Sequence, residues 1–237
     1  MWDLFGQALE AFHERGACAP YLWRRDDNTA CEEPIAFYFA SLEQWRVQEL
    51  SALEMVAGRV LDAGCGAGKH VLEFQCRGLE TVGIEVSPGA LRVSRARGGR
   101  DILLMDLFAL EFPPDCFDCI TLFTNNLSLG GTPEGVTRLL RGLAAVLRRG
   151  GRVVLTNLDV TRSGTAADRA YQAANVAAGR FSGQIRMRAE YAGQLGGWID
   201  WLFVTPAELE ALAAPSGWRV DQVVDCGGPY CACLVRK

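Results

Sequence analysis

The sequence predicts a doubly wound, mostly parallel seven-stranded α/β sheet closed by an antiparallel hairpin. Three observations carry this: brief apolar runs alternating with amphipathic segments, a glycine-rich turn after the first run, and two alternating runs at the end of the chain. The runs are Val60-Leu61 with its neighbours, Thr81 to Ile84, Ile102 to Met105, Cys119 to Phe123 and Val153 to Thr156. Their length suits strands covered on both faces. Strand, helix and strand repeated in this way imply right-handed crossovers.

Helix punctuation supports the alternation. Ser87-Pro88 and Thr132-Pro133 each place a cap residue before proline at the first helical position, and Gly78, Gly98 and Gly150 stand where helices should stop. Trp2 to Arg15 reads as an amphipathic helix, with Asp3, Glu10 and Glu14 too polar for a signal peptide. Ser41 to Gln44 has the form of a capping box opening a further helix, with Leu42, Trp45, Leu53 and Val56 to one side. Residues 1–56 are thus expected as a helical lid on a core at 57–160. The stretch 161–204 lacks the core rhythm and is expected as an insert on the acceptor side. In it, Arg186 to Tyr191 and Trp198 to Phe203 alternate about a glycine-bearing loop and suggest a hairpin. Thr205-Pro206-Ala207-Glu208 opens another helix in the last segment, 205–237, which ends on the hairpin of Trp218 to Val224, a Gly227-Gly228-Pro229 turn and Cys231 to Val235. One domain is expected over the whole.

The 237 residues are 49% hydrophobic, enough for one sizeable core, and carry 24 basic against 28 acidic side chains for a net charge of −4. That balance gives no general attraction to nucleic acid or anionic membrane. No run approaches the roughly 18 apolar residues of a membrane span, so a cytoplasmic protein is expected. The nine cysteines then read as thiols, and Cys119, Cys231 and Cys233 as small buried residues; no metal site is expected.

The strongest signal is Val60-Leu61-Asp62-Ala63-Gly64-Cys65-Gly66-Ala67-Gly68, an apolar strand entering three alternating glycines and then a helix. Glycines permit a sharp turn and close approach to a ligand, and the helix start supplies N–H groups. Glu85 follows about 20 residues after the first glycine, where an acidic side chain can accept from both ribose hydroxyls. The spacing is G-x-G-x-G with Lys69 next, not the G-x-G-x-x-G of dinucleotide binders, and the Asp62 carboxylate would repel a pyrophosphate.

The order D-A-G-C-G-A-G, then G-I-E, then M-D resembles the class I S-adenosylmethionine-dependent methyltransferases, over roughly Gly58 to Asn157. The resemblance implies a Rossmann-like core and S-adenosyl-L-methionine as cofactor. It puts Asp62, Gly64, Gly66 and Gly68 around the methionine part, Glu85 at the ribose, and Asp106 at the adenine amino group with Met105 and Leu107 beside it. Cys65, His70, Val86 and Phe123 complete the expected cofactor set. His70 has a base reading, but a packing role in the pocket wall is preferred. The expected activity is methyl transfer by in-line displacement to a small molecule or short peptide. RNA or protein methylation, and a scaffold that binds the cofactor without catalysis, are the alternatives.

Residues beyond the strand ends border the acceptor. Asn125 or Asn126 could align an amine through an amide oxygen, and Tyr38 is the lid tyrosine with a hydroxyl to place. Thr124-Asn125-Asn126-Leu127 departs from the N-P-P-Y or D-P-P-Y signature of DNA and protein amino methyltransferases, which weakens a nucleobase acceptor. Phe37, Phe39, Tyr191, Trp198 and Trp201 are candidate pocket walls. Arginines 92, 95, 97 and 100, and 138, 141, 148 and 149, are expected on solvated helix faces. A monomer or homodimer is expected.

Overall fold

The computed structural model describes residues 3–162 and 164–237. In chain order the elements are α1 (Leu4–Arg15), β1 (Tyr21–Arg25), β2 (Ala30–Glu32), α2 (Val47–Leu53), β3 (Val60–Ala63), α3 (Lys69–Cys76), β4 (Thr81–Glu85), α4 (Pro88–Ala96), β5 (Ile102–Leu104), β6 (Phe117–Leu122), α5 (Pro133–Val146), β7 (Leu147–Leu158), α6 (Ala166–Ala177), β8 (Gln184–Tyr191), β9 (Gln194–Leu195), β10 (Ile199–Leu202), α7 (Pro206–Ala213), β11 (Trp218–Asp225) and β12 (Pro229–Arg236).

The seven-stranded sheet runs β11-β12-β7-β6-β3-β4-β5. Pairing is parallel at β4–β5 and β6–β7 and antiparallel where β12 joins β7 and β11. The expected strands are all present, and the closing hairpin turns through Gly227 and Gly228, both at positive φ. A second sheet runs β10-β8-β1-β2, with β9 beside β8.

By contacts the chain divides into two compact units. The first comprises residues 1–45, 61–107 and 186–199, and the second 46–60, 108–185 and 200–237. In the first, Leu4, Ala8, Leu9, Tyr21, Ile35, Ala67, Ala90 and Val93 form one buried cluster. There α1 and α4 approach so closely that a Cβ on Gly89 would stand 2.6 Å from the Gly6 Cα. Asp3 closes this junction, accepting from Gly6 N (2.9 Å), Ser87 Oγ (2.7 Å) and Gly89 N (2.8 Å) and so capping both helices with one carboxylate. In the second unit Trp218 and Tyr230 are fully buried, and each satisfies its polar atom on a main-chain carbonyl, Leu140 O at 3.0 Å and Val204 O at 2.9 Å.

The caps at Ser87 and Thr132 form as expected, accepting from Ala90 N and Gly135 N. Several other expectations are corrected. The N-terminal segment is not helical throughout, because β1 and β2 form a hairpin turned by Asn28 at φ 69°. The Ser41–Gln44 box holds, with Gln44 accepting from Ser41 N, but it opens only a short 3₁₀ turn at Leu42–Gln44. Trp45 and Arg46 are extended there, so the α-helix starts at Val47. Gly150 ends no helix: α5 passes directly into β7, and Gly150 lies inside that strand at φ 77°. The insert contains an unexpected helix, α6, capped by Thr165 and Asp168. Its β8 turns at once into β9 and pairs over Met187–Tyr191 with β1, so the expected hairpin is part of a larger sheet. Cys119, Cys231 and Cys233 are buried.

Candidate cofactor site

The site is built within the first unit. β3 is buried along its whole length and delivers the chain to Gly64, whose N–H donates to Ile84 O (2.9 Å), as does that of Cys65 (3.0 Å). These two bonds lay the turn across the end of β4. Gly64, Gly66 and Gly68 all have positive φ, 85°, 54° and 81°, which other residues adopt only with strain. At Gly68 a Cβ would also collide with Ser94 Oγ.

Glu85, at the end of β4, is the pivot. Its Oε2 accepts from Gly66 N (3.0 Å), and its Oε1 from Val86 N (2.8 Å) and Ser87 N (2.9 Å). One carboxylate therefore ties the glycine turn to the start of α4. Burial pushes its pKa up, opposed by the three N–H donors. A carboxylate has about four acceptor positions, so one remains for a hydroxyl donor. The neighbouring Cys65 thiol is raised well above its ordinary value by burial and then by the negative charges of Asp62 and Glu85.

Around this pivot, Asp62 is buried at the strand end, Val86 is 60% exposed beside Glu85, and Met105 N donates to Glu85 O (3.0 Å). Asp106 is exposed, Met105 half-buried and Leu107 buried. An apolar Val86 surface next to a buried acceptor, with an exposed carboxylate on the following strand end, fits an adenosyl group: ring surface on valine, hydroxyl on Glu85, amino group on Asp106. His70 is buried, with its ring edge-on to Trp45 at 4.9 Å. Tyr38 packs edge-on to Phe5 (5.0 Å), donates to Glu33 Oε1 (3.3 Å), and lies 3.8 Å from where a Gly66 Cβ would stand.

Two side chains gain significance that the residue pattern did not give them. Lys69 is buried with its Nζ 3.6 Å from the Phe37 ring centroid and 5.3 Å from that of Trp45, so Phe37 faces a cation at the glycine turn. Arg97 is not on a solvated helix face: it is half-buried, donates to Ala67 O (2.7 Å) and Tyr38 O (3.1 Å), and covers Phe39.

Phe123, Asn125 and Asn126 belong to the second unit. Phe123 is buried at the end of β6; the next two residues, Thr124 and Asn125, both have positive φ, 53° and 63°. Asparagine tolerates this region, but a β-branched threonine there is strained. Thr124 N donates to Thr156 Oγ1 (2.8 Å) and Asn126 N to Phe123 O (3.2 Å), which hold the turn. Strain kept in place at a strand end is a recurrent mark of functional sites.

The glycine turn and Glu85 form an arrangement that could hold an adenosyl group on an α/β sheet. A model of the methyltransferase domain family matches residues 60–151. A solved S-adenosylmethionine-dependent methyltransferase from Bacteroides fragilis, in complex with S-adenosyl-L-homocysteine, is 27% identical and superposes with a TM-score of 0.84, over 99% of this chain and 94% of that one. Demethylmenaquinone methyltransferase of Renibacterium salmoninarum is 30% identical over 118 residues, 49% of this chain and 48% of the relative. Ubiquinone biosynthesis O-methyltransferase of Xanthomonas euvesicatoria is 27% identical, over 72% of this chain and 66% of its own length. The first curated relatives are thus matched over about half their length. These matches support a class I S-adenosylmethionine-dependent methyltransferase: the family model covers residues 60–151, and the solved relative that superposes over nearly the whole chain holds S-adenosyl-L-homocysteine.

Proposed function

We propose that this protein transfers the methyl group of S-adenosylmethionine to a small-molecule or short-peptide acceptor. The observation that carries the reading is the buried Glu85 carboxylate bracing the Gly66 turn beside an exposed Val86. The small-acceptor part is supported by relatives named for quinone methylation, together with the acidic charge balance. Among the described residues no helix is long and apolar enough to cross a membrane.

When bound, the cofactor supplies a methyl carbon on positive sulfur. It would pass that methyl group in line to the acceptor atom, whose surplus proton would leave to solvent or a nearby base. The chain's task is binding, alignment and exclusion of water. Glu85 accepts a ribose hydroxyl, Asp106 accepts from the adenine amine, and the turn at 64–68 with Asp62 and Cys65 holds the methionyl end. Met105, Leu107, Val86 and His70 shape the walls. Asn125 and Asn126, on the strained turn after β6, are the groups assigned to orient the acceptor.

The test is a methyl-transfer screen with S-adenosylmethionine over phenol, amine, thiol and carboxylate acceptors, read by mass spectrometry. One acceptor class gaining a methyl group, with loss of turnover of about 100-fold in Asn125→Ala, is expected. Full activity in both Asn125→Ala and Asn126→Ala refutes their assigned role.

A further inference from the structure

Arg97 lies just past α4, and its polar contacts are unusual for a half-buried guanidinium. Both acceptors are neutral main-chain carbonyls, Ala67 O and Tyr38 O, and its third contact is the Phe39 ring, 4.8 Å from Cζ to centroid. Among the described residues it has no carboxylate partner within ion-pair distance. Burial without an anion is unfavourable and lowers its pKa. What it secures is geometry.

Ala67 stands between Gly66 and Gly68, in the part of the turn with least side chain to hold it. Its carbonyl is fixed by a charged donor at 2.7 Å, the shorter of the two bonds. Tyr38 belongs to the 3₁₀ helix Ile35–Phe39, which also supplies the ring over Gly66 and the Phe37 face under Lys69. The aromatic segment and the glycine turn thus meet three times: through the Arg97 bridge, through Tyr38 on Gly66, and through Lys69 on Phe37. A shift of either would disturb these contacts.

We propose that Arg97 is a positioning residue that makes cofactor binding and the seating of the aromatic segment 35–39 a single coupled step. The inference rests on the reading of the glycine turn as the adenosyl site. Linkage requires the coupling to run both ways: a ligand that favours the ordered turn must also order the segment.

The experiment measures S-adenosylhomocysteine binding by calorimetry, and hydrogen exchange of a peptide covering 35–45 with and without this ligand, in the full chain and in Arg97→Ala and Arg97→Lys. In the unmodified protein the ligand should slow exchange across 35–45. Arg97→Ala should bind about 10- to 100-fold more weakly, the worth of a lost charge-assisted bond, and its segment should no longer respond to ligand. Arg97→Lys should fall between, since an ammonium reaches a carbonyl but cannot stack on Phe39. A purely structural arginine would lower the melting temperature and leave both readouts unchanged, which overturns the inference. So does an unmodified protein that binds ligand while exchange at 35–45 stays constant. If Arg97→Ala fails to fold, Arg97→Lys and the unmodified protein decide by the same criteria. Absence of any binding to the unmodified protein overturns the adenosyl reading itself, a distinct result.

Discussion

Replacing Asp3 by alanine tests whether one carboxylate really joins two helix starts. The side chain accepts three bonds, from Gly6 N, Ser87 Oγ and Gly89 N, all between 2.7 and 2.9 Å. Loss of the α1 cap costs about 1 kcal/mol. The two bonds to the start of α4 add about 1 kcal/mol each, less what water recovers at a partly exposed site. The expected total is about 2–3 kcal/mol, which for a chain of this size lowers the melting temperature by about 4–12 °C. Asp3→Asn keeps one oxygen acceptor but loses the charge, and should fall near half that. Ser87 N also donates to Glu85 Oε1, so Asp3→Ala should in addition weaken S-adenosylhomocysteine binding a few-fold. Scanning calorimetry with a parallel ligand titration measures both. An alanine variant melting within about 1 °C of the original would refute the double cap.

Three further outcomes are expected. Thr124→Gly relieves the strain of φ 53° at a β-branched residue, and after the entropy cost of glycine should be neutral to about 1 kcal/mol more stable in urea titration; a loss above about 1 kcal/mol contradicts the strain. In the native protein at pH 8 a thiol reagent should label exposed Cys31 and Cys76 first and spare Cys65 and Cys119, the latter's pKa being pushed up to about 12 by burial; peptide mapping that finds Cys119 among the first labelled contradicts its placement. The Asp27 carboxyl is held at about 2, first by its hydrogen bonds from Arg25 and despite partial burial. A folded value below the unfolded one gives stability that is present above the ordinary value of 3.8 and lost as pH falls toward about 2, so Asp27→Asn should flatten acid unfolding in that window.

The core was legible because its signals are local. Pro88 and Pro133 behind their cap residues, and the three glycines after β3, each dictate their own backbone, and Glu85 follows at the end of the next strand. The N-terminal hairpin was not, although Asp26-Asp27-Asn28 is a good turn: β1 mixes arginine with aromatics and gains its pattern only by pairing with β8, more than 160 residues away. Arg24 there forms a two-bond pair with Glu190 (2.6 and 2.9 Å), a partner no local window contains. Arg97 was hidden for a related reason. Its charge and helical position match a solvated face, and only the folded chain puts the Ala67 and Tyr38 carbonyls within its reach. The capping-box pattern at Thr165 and Asp168 was the available signal for α6, obscured by an alanine-rich helix with almost no buried face.

Calorimetric titration of S-adenosylhomocysteine into the intact chain and into Glu85→Ala most directly tests whether the Gly64–Gly68 turn and Glu85 form an adenosyl pocket. The account predicts one-site binding to the former and binding at least about 10-fold weaker to the latter, with the variant still folded by circular dichroism. Equal affinity in the two proteins, or no heat from either, would contradict it.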